Sequence, residues 1–390
     1  MTRAAAATTE PAVRVEVLKD EGAWFAMSEA WNALLAESKV NTVFLTAEWL
    51  GCWWRSYGEN RPLHVVKVLR GDRLIGLTAF YEKKVRKIKL TFKAMAFVGD
   101  GTWDSDYLDL IAAPGEEEAV VEGVLDYLFD VRDRWDLLLL NEIPDSSPMA
   151  PLIRRGLSAR GCTQSEEQAV ACAWSALPDS WDDYLKTLKP RMRTKTRSLV
   201  RKLEEAHDVE LELCEREDQL PERLASMYEL HEQRWRQVGK SGVFVFPEKR
   251  DFYERMSREL LALGWLRFHS LRVDGRYVAH QFCFDYGDTR FLLQEGMDPA
   301  WFDKGVGNVL RVYVFQDCIE RGIRVYDFLG GVTQHKLSWG SDVKKSLRLT
   351  AGRKGARSFL YFDLPRAARW GRDRLRDVLG KGEGSTETGS

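Results

Sequence analysis

Residues 274–280 read Asp-Gly-Arg-Tyr-Val-Ala-His, and residues 302–308 read Phe-Asp-Lys-Gly-Val-Gly-Asn. The first stretch is a hairpin signal, with Asp274-Gly275 as a two-residue turn between apolar runs. It predicts strands over 265–273 and 277–285. A third strand follows over 290–294, a helix over 306–321 and a buried strand over 325–329. The second stretch therefore leaves a strand and opens a helix. Glycines there let backbone N–H groups approach a pyrophosphate, and the helix N-terminus adds positive potential. Lys304, Gly305, Val306, Gly307 and Asn308 form the candidate phosphate cradle; a plain tight turn uses the same glycines. The stretch is neither GxGxxG nor a Walker loop, and it follows an antiparallel meander where a dinucleotide fold would place it first.

Upstream, 221–237 and 247–263 predict helices. The first half shows a similar order: helices over 24–36 and 46–57, with Thr46 as N-cap, then strands over 63–69, 73–81, 90–98 and 107–111. A helix over 116–131 and a buried strand over 136–141 complete it. The stretch Gly71-Asp72-Arg73-Leu74-Ile75-Gly76 resembles 274–279, lying 203 residues earlier. Trp135-Asp136-Leu137 resembles Tyr326-Asp327-Phe328, 191 residues earlier. Together they predict an internal duplication. Between the halves, Ser180 caps a short helix that stops at Pro190, and 191–202 is strongly basic. Met1–Glu10 reads as a loose tail, and 381–390 as disordered.

The 390 residues suggest two to three domains at about 150 residues each. The 58 basic and 59 acidic side chains cancel to −1, which argues against a polycation coating DNA or an anionic membrane. No apolar run approaches the length of a membrane span, and the six cysteines show no metal-ligand spacing. A cytoplasmic protein with reduced thiols and no metal is expected. The 14 tryptophans are expected mainly in the core.

Strand, Asp-Gly turn, two strands, glycine loop and helix resemble the GNAT acyl-CoA N-acyltransferase fold. More narrowly, 274–280, 304–310, Arg321-Gly322 and 326–331 resemble the CelD/BcsL-like bacterial acetyltransferases. The resemblance covers about residues 180–345, is weaker over 15–175, and extends to the Fem-type ligases, which contain two GNAT-like domains. It implies an α/β fold of tandem GNAT-like domains with mixed central sheets. The expected bounds are 11–176 without a glycine loop, 177–350 with the donor site, and an extension over 351–390. The implied activity moves an acyl group from acetyl-CoA or another acyl-CoA to an amine or hydroxyl. The acceptor would be a small molecule or glycan precursor in polysaccharide, cellulose or cell-envelope biosynthesis. The alternatives are a Fem-type ligase using aminoacyl-tRNA and a non-catalytic partner in exopolysaccharide assembly. An open, basic groove beside Gly305–Gly307 would favour a donor; a plugged one would favour the non-catalytic alternative. Two departures stand out: Phe302 replaces the usual Gln or Arg, and His335-Lys336 replaces a Tyr-Lys pair.

Acyl transfer to an amine needs a base for the ammonium proton and an acid for the thiolate. His280 lies mid-strand. Glu295 ends the strand before the loop, where bases of such enzymes commonly sit. Asp327 is a carboxylate in an apolar strand, and a structural ion pair with Lys336 or Arg290 would explain it equally well. His335 and Lys336 follow the last strand, and His335 is the candidate acid. Asp100, Asp104, Asp106 and Asp109 could make an acidic acceptor wall in the first half. Arg234 and Trp235 on the first long helix, together with Lys336, are candidate substrate contacts. The basic run 191–202 would meet phosphates.

Overall fold

The computed structural model describes residues 11–87, 89–237 and 239–363. The first half runs β1 (Val13–Leu18), α1 (Glu21–Phe25), α2 (Ser28–Glu37), α3 (Ala47–Tyr57), β2 (Leu63–Arg70), β3 (Arg73–Lys87) and β4 (Leu90–Phe97). It continues with β5 (Ile111–Ala112), α4 (Glu117–Asp130), β6 (Leu137–Pro144), α5 (Met149–Ala159) and β7 (Cys162–Gln168). Thr46 caps α3 by accepting the Trp49 N–H at 3.2 Å. The helix expected over 24–36 is two helices, broken at Ala26–Met27. The strand expected over 107–111 shrinks to Ile111–Ala112, because Tyr107 takes a φ of 54° that no strand accommodates.

The second half runs β8 (Cys172–Ala176), α6 (Trp181–Thr187), α7 (Pro190–Ala206), β9 (Val209–Leu213), α8 (Leu220–Gln237), α9 (Pro247–Ala262), β10 (Leu266–Val273) and β11 (Arg276–Tyr286). Then come β12 (Thr289–Met297), α10 (Val306–Glu320), β13 (Val325–Gly330), α11 (Gln334–Leu337), β14 (Asp342–Lys344) and β15 (Ser346–Arg353).

The halves repeat one pairing scheme. The first sheet is ordered β1-β2-β3-β4-β6-β15-β7, with β5 beside β3, and the second β9-β10-β11-β12-β13-β8-β14. In each, the fourth and fifth strands are parallel and every other pair on this path is antiparallel. Both hairpins turn in two residues, at Gly71-Asp72 and Asp274-Gly275, as their sequences require. The second sequence match is misregistered. Asp327 pairs with Trp174 just before a bulge, the position that Leu140 takes opposite Leu349, so Asp136 is not its counterpart.

The sheets exchange strands across the expected bounds. β8 precedes residue 177 yet sits in the second sheet, and β15 spans 350/351 yet sits between β6 and β7 in the first. Each exchanged strand thus completes the other half, because a sixth strand beside β6 or β13 buries an otherwise open edge. The core also crosses the junction: Phe44 packs on Phe291 at 5.6 Å, and Trp49 on Phe252 at 5.6 Å and Phe284 at 5.1 Å. Trp24, Trp31, Trp49, Trp53, Trp135 and Trp339 are fully buried, as expected for core packing.

Candidate functional site

Parallel pairing between β12 and β13 covers only Thr289–Phe291 with Val325–Asp327. Beyond it the strands part. In the first half β4 and β6 pair only over Ala94–Ala96 with Leu137–Leu139, and then part too. Both gaps open on one cavity of about 930 Å³ at the junction. Its walls include Asp100, Asp106 and Glu142 from the first half and Glu295, His335 and Lys336 from the second, with Arg234 and Trp235 of α8 beside them.

Strain gathers here. Of the non-glycine residues with positive φ, Trp103, Glu142 and Leu329 line the cavity, and Tyr107 directly follows Asp106 of its wall. Such backbone costs about 1–3 kcal/mol per residue and clusters at functional sites. Glu142 and Leu329 occupy the bulges of β6 and β13, where the ladder breaks and the chain turns towards the cavity.

The acidic wall is mostly neutralised. Asp100 accepts Lys83 Nζ at 2.8 Å and Asn141 Nδ2 at 2.9 Å, which closes the first gap. Glu142 accepts Arg348 of β15 at 3.0 Å. Asp106 has no basic partner among the described residues; its neighbour is the Cys172 thiol at 3.5 Å. Burial, with Glu142 and Asp327 nearby, pushes its carboxyl up to about 7. Asp104 lies outside this wall, bonded to Lys249 and Tyr57. Asp109 also lies outside it, and burial pushes it to about 7.

On the opposite wall Glu295 is half-buried and bonded to Arg311 of α10 and, at 2.9 Å, to Gln281. Burial raises its carboxyl, but Arg311 outweighs that and holds it below the usual range. His335 Nε2 lies 2.8 Å from Asn308 Oδ1, and Nδ1 lies 3.4 Å from Arg311. Desolvation of the ring and the nearby Arg311 lower its imidazole to about 4, although the residue as a whole is exposed, so at neutral pH it is uncharged and lacks the imidazolium proton that a general acid would give a leaving thiolate. Lys336 Nζ donates to the carbonyls of Phe328, Leu329 and Gly330 at 2.8, 3.2 and 2.9 Å, gathering the end of β13, and burial lowers its pKa.

Two expected groups stand elsewhere. His280 is buried between β10 and α8, with both ring nitrogens 2.9 Å from the hydroxyls of Ser270 and Ser226. It does not line the cavity. Asp327 accepts Tyr107 OH at 2.9 Å and Lys344 Nζ at 3.2 Å, tying the halves together; neither Lys336 nor Arg290 is its partner. Arg290 instead holds Asp285 and Asp317.

The glycine loop opens α10 beside this cavity without lining it. Gly305 adopts a φ of 68°. A Cβ there would meet Leu199 of α7 at 3.0 Å, and one at Gly307 would meet Met297 at 2.9 Å. Both glycines therefore serve close packing, while Phe302, Asp303 and Lys304 are exposed. Asn308 carries the loop's position to His335. Over the loop lies α7, whose Arg191, Lys195, Arg197, Arg201 and Lys202 are exposed.

Sequence reasoning missed Arg311, Gln281, Trp103, Glu142 and Arg348. Arg311 had a signal, a lone cation within Val309-Leu310-Arg311-Val312. Arg348 had none, because it reaches the site on an exchanged strand. Among the described residues no group of three or more His, Cys, Asp or Glu is placed to hold a metal. No helix among them is long and apolar enough to cross a membrane.

Residues 190–337 match the family model described as an acetyltransferase (GNAT) domain. No curated protein matches the sequence significantly. Among solved structures the chain is similar to FemX, with 12% identity and a TM-score of 0.62 over 89% of this chain and 99% of that one. It is similar to a conserved protein of unknown function from Bacteroides thetaiotaomicron, with 15% identity and a TM-score of 0.56 over 84% and 97%. L-PGS from Bacillus licheniformis follows with 14% identity and a TM-score of 0.51 over 87% and 94%. At these identities the likeness speaks of the fold, an α/β arrangement of tandem GNAT-like halves with mixed sheets.

Proposed function

We propose that the protein transfers an acyl group to an amine in the junction cavity, with Asp106 as general base. The observation carrying this reading is a half-buried carboxyl pushed up to about 7, without a basic partner among the described residues, on the wall facing the β12/β13 gap. A base is most effective when its pKa lies near the working pH. An acyl-CoA donor would supply an activated thioester. The N–H groups of Val306 and Gly307, which open α10, would receive its pyrophosphate, helped by Lys304. The ladder between β12 and β13 ends at Phe291 and Asp327, so backbone groups facing the gap lack strand partners there and suit an acyl carbonyl.

Asp106 takes the ammonium proton, the amine nitrogen bonds the acyl carbon, the carbon–sulfur bond breaks, and the proton that the nitrogen then sheds passes to the departing thiolate, which leaves as the free thiol. Glu295, with Arg311 and Gln281, holds the cavity wall, and Lys336 fixes the end of β13. Arg234 and Trp235 flank the acceptor. Small amines and glycan precursors bearing an amine fit this wall, and acyl-CoA use would place the work in the cytoplasm.

One observation favours an aminoacyl-tRNA donor instead: the exposed basic face of α7 over the glycine loop. Calorimetry with acetyl-CoA and with aminoacyl-tRNA separates the two. Acetyl-CoA binding that Lys304→Glu weakens supports the first. Binding of aminoacyl-tRNA alone, falling steeply with salt, replaces the donor, and silence of both with no acyl transfer to any amine overturns the enzyme reading.

A further inference from the structure

We propose that Trp103 is the platform that selects the acceptor, and that the acceptor carries its amine on a sugar ring. The inference rests on the acyl-transfer reading and names the substrate class of the same cavity. Trp103 is 76% exposed, more than any other large apolar side chain among the described residues, and it lines the junction cavity. Its backbone holds a φ of 63°, which a tryptophan adopts only at a cost. The chain on either side is pinned from behind. Asp100 accepts from Lys83 and Asn141, the Thr102 hydroxyl accepts Trp53 Nε1 at 2.9 Å, and the Thr102 carbonyl accepts Lys249 Nζ at 2.8 Å. Asp104 holds Lys249 and Tyr57, and the Ser105 hydroxyl accepts Trp49 Nε1 at 2.9 Å. The loop is anchored on core side chains, and between two fixed neighbours it presents the indole.

A large apolar surface held in water on strained backbone calls for something to cover it. Arg348 sets its guanidinium 5.4 Å from the ring centroid, and Glu142 holds Arg348 at 3.0 Å, so the ring has a fixed neighbour and keeps most of its surface open. Trp103 precedes Asp106 by three residues, a reach of at most about 11 Å at about 3.6 Å per residue. An amine at Asp106 therefore lies within reach of a ring resting on the indole. Asp100, Asn141 and Glu142 line the same cavity, and their oxygens suit hydroxyl donors. A sugar ring offers both halves of this match: C–H groups on its flat face for the electron-rich indole face, and hydroxyls on its edge for the oxygens. An acyclic amine leaves the indole bare, and an aromatic amine leaves the oxygens without donors.

The test is calorimetric titration of glucosamine, ethanolamine and 2-phenylethylamine into the full-length protein and its Trp103→Ala, Trp103→Phe and Trp103→Gly variants. Glucosamine should bind the wild type at least about tenfold more tightly than the other two. That advantage should vanish in Trp103→Ala and Trp103→Gly and largely survive in Trp103→Phe, with ethanolamine unmoved throughout. Urea unfolding reads any structural role: Trp103→Gly, freed of strain, should unfold at the wild-type midpoint or above it. Absent glucosamine binding, equal glucosamine affinity in wild type and Trp103→Ala, or tighter binding of 2-phenylethylamine overturns the sugar platform and leaves acyl transfer to other amines standing. A lower midpoint in Trp103→Gly makes Trp103 a structural residue and overturns the platform too. Glucosamine bound in the expected pattern but acylated from neither acetyl-CoA nor aminoacyl-tRNA overturns the acyl-transfer reading and leaves the platform in place.

Discussion

Replacing Asp106 with Asn should cost activity and add stability at high pH. The Asp106 carboxyl rises from an ordinary value near 3.8 to about 7 in the folded protein. The folded state therefore binds the proton more tightly than the unfolded state. Wild-type stability falls as pH climbs from the unfolded value to about 7, and is level above it. Between pH 5 and pH 8 the loss is about 3 kcal/mol, at about 1.4 kcal/mol for each pH unit up to 7. Asparagine carries no such proton. Asp106→Asn should gain about 3 kcal/mol on the wild type between those two pH values, whatever constant cost follows from altered contacts with Cys172 and Gly330. Urea unfolding at pH 5 and pH 8 reads this difference directly. In the same proteins, wild-type kcat/KM for an amine acceptor should rise through about pH 7 and then level, because only the carboxylate accepts a proton. The variant should lose that limb and about 10²–10⁴-fold in rate. An unchanged pH–rate profile refutes the base assignment. An equal pH dependence of stability refutes the raised pKa on which it rests.

Asp109 provides the control. It is pushed to about 7 by burial but lies outside the cavity, so Asp109→Asn should show the same stability gain with unchanged kcat. Arg311→Met leaves the half-buried Glu295 without its cation and should cost about 1–3 kcal/mol in chemical denaturation; Glu295→Gln in the same chain should restore part of it. Because His335 is already neutral above about pH 5, His335→Phe should leave the alkaline side of the pH–rate profile in place and lower kcat less than tenfold. An alkaline limb that shifts in that variant would return His335 to the acid role.

Local chemistry explains what was legible in the sequence. A two-residue turn needs particular backbone angles, so Gly71-Asp72 and Asp274-Gly275 announce both hairpins. The apolar run Leu137–Leu140 can only be an inner strand, and it is buried. Residues 304–308 mark the start of α10 because left-handed backbone there favours glycine. Glu295, His335, Lys336, Arg234 and Trp235 share one cavity, since each lies where a strand or helix ends beside the β12/β13 gap.

Other features depend on contacts distant in sequence. Nothing in the pattern of β8 or β15 says which sheet it joins, because any strand of suitable polarity can fill either open edge. The exchange alone brings Arg348 to Glu142 and Cys172 to Asp106. His280 is a core residue because two serines on separate elements satisfy its ring. Asp106 shows the division most clearly. Its sequence neighbourhood is acidic and reads as a solvated loop. Its pKa follows from partial burial against the opposite half, beside Cys172 and Gly330, a property of where the chain has folded and not of the residues beside it in sequence.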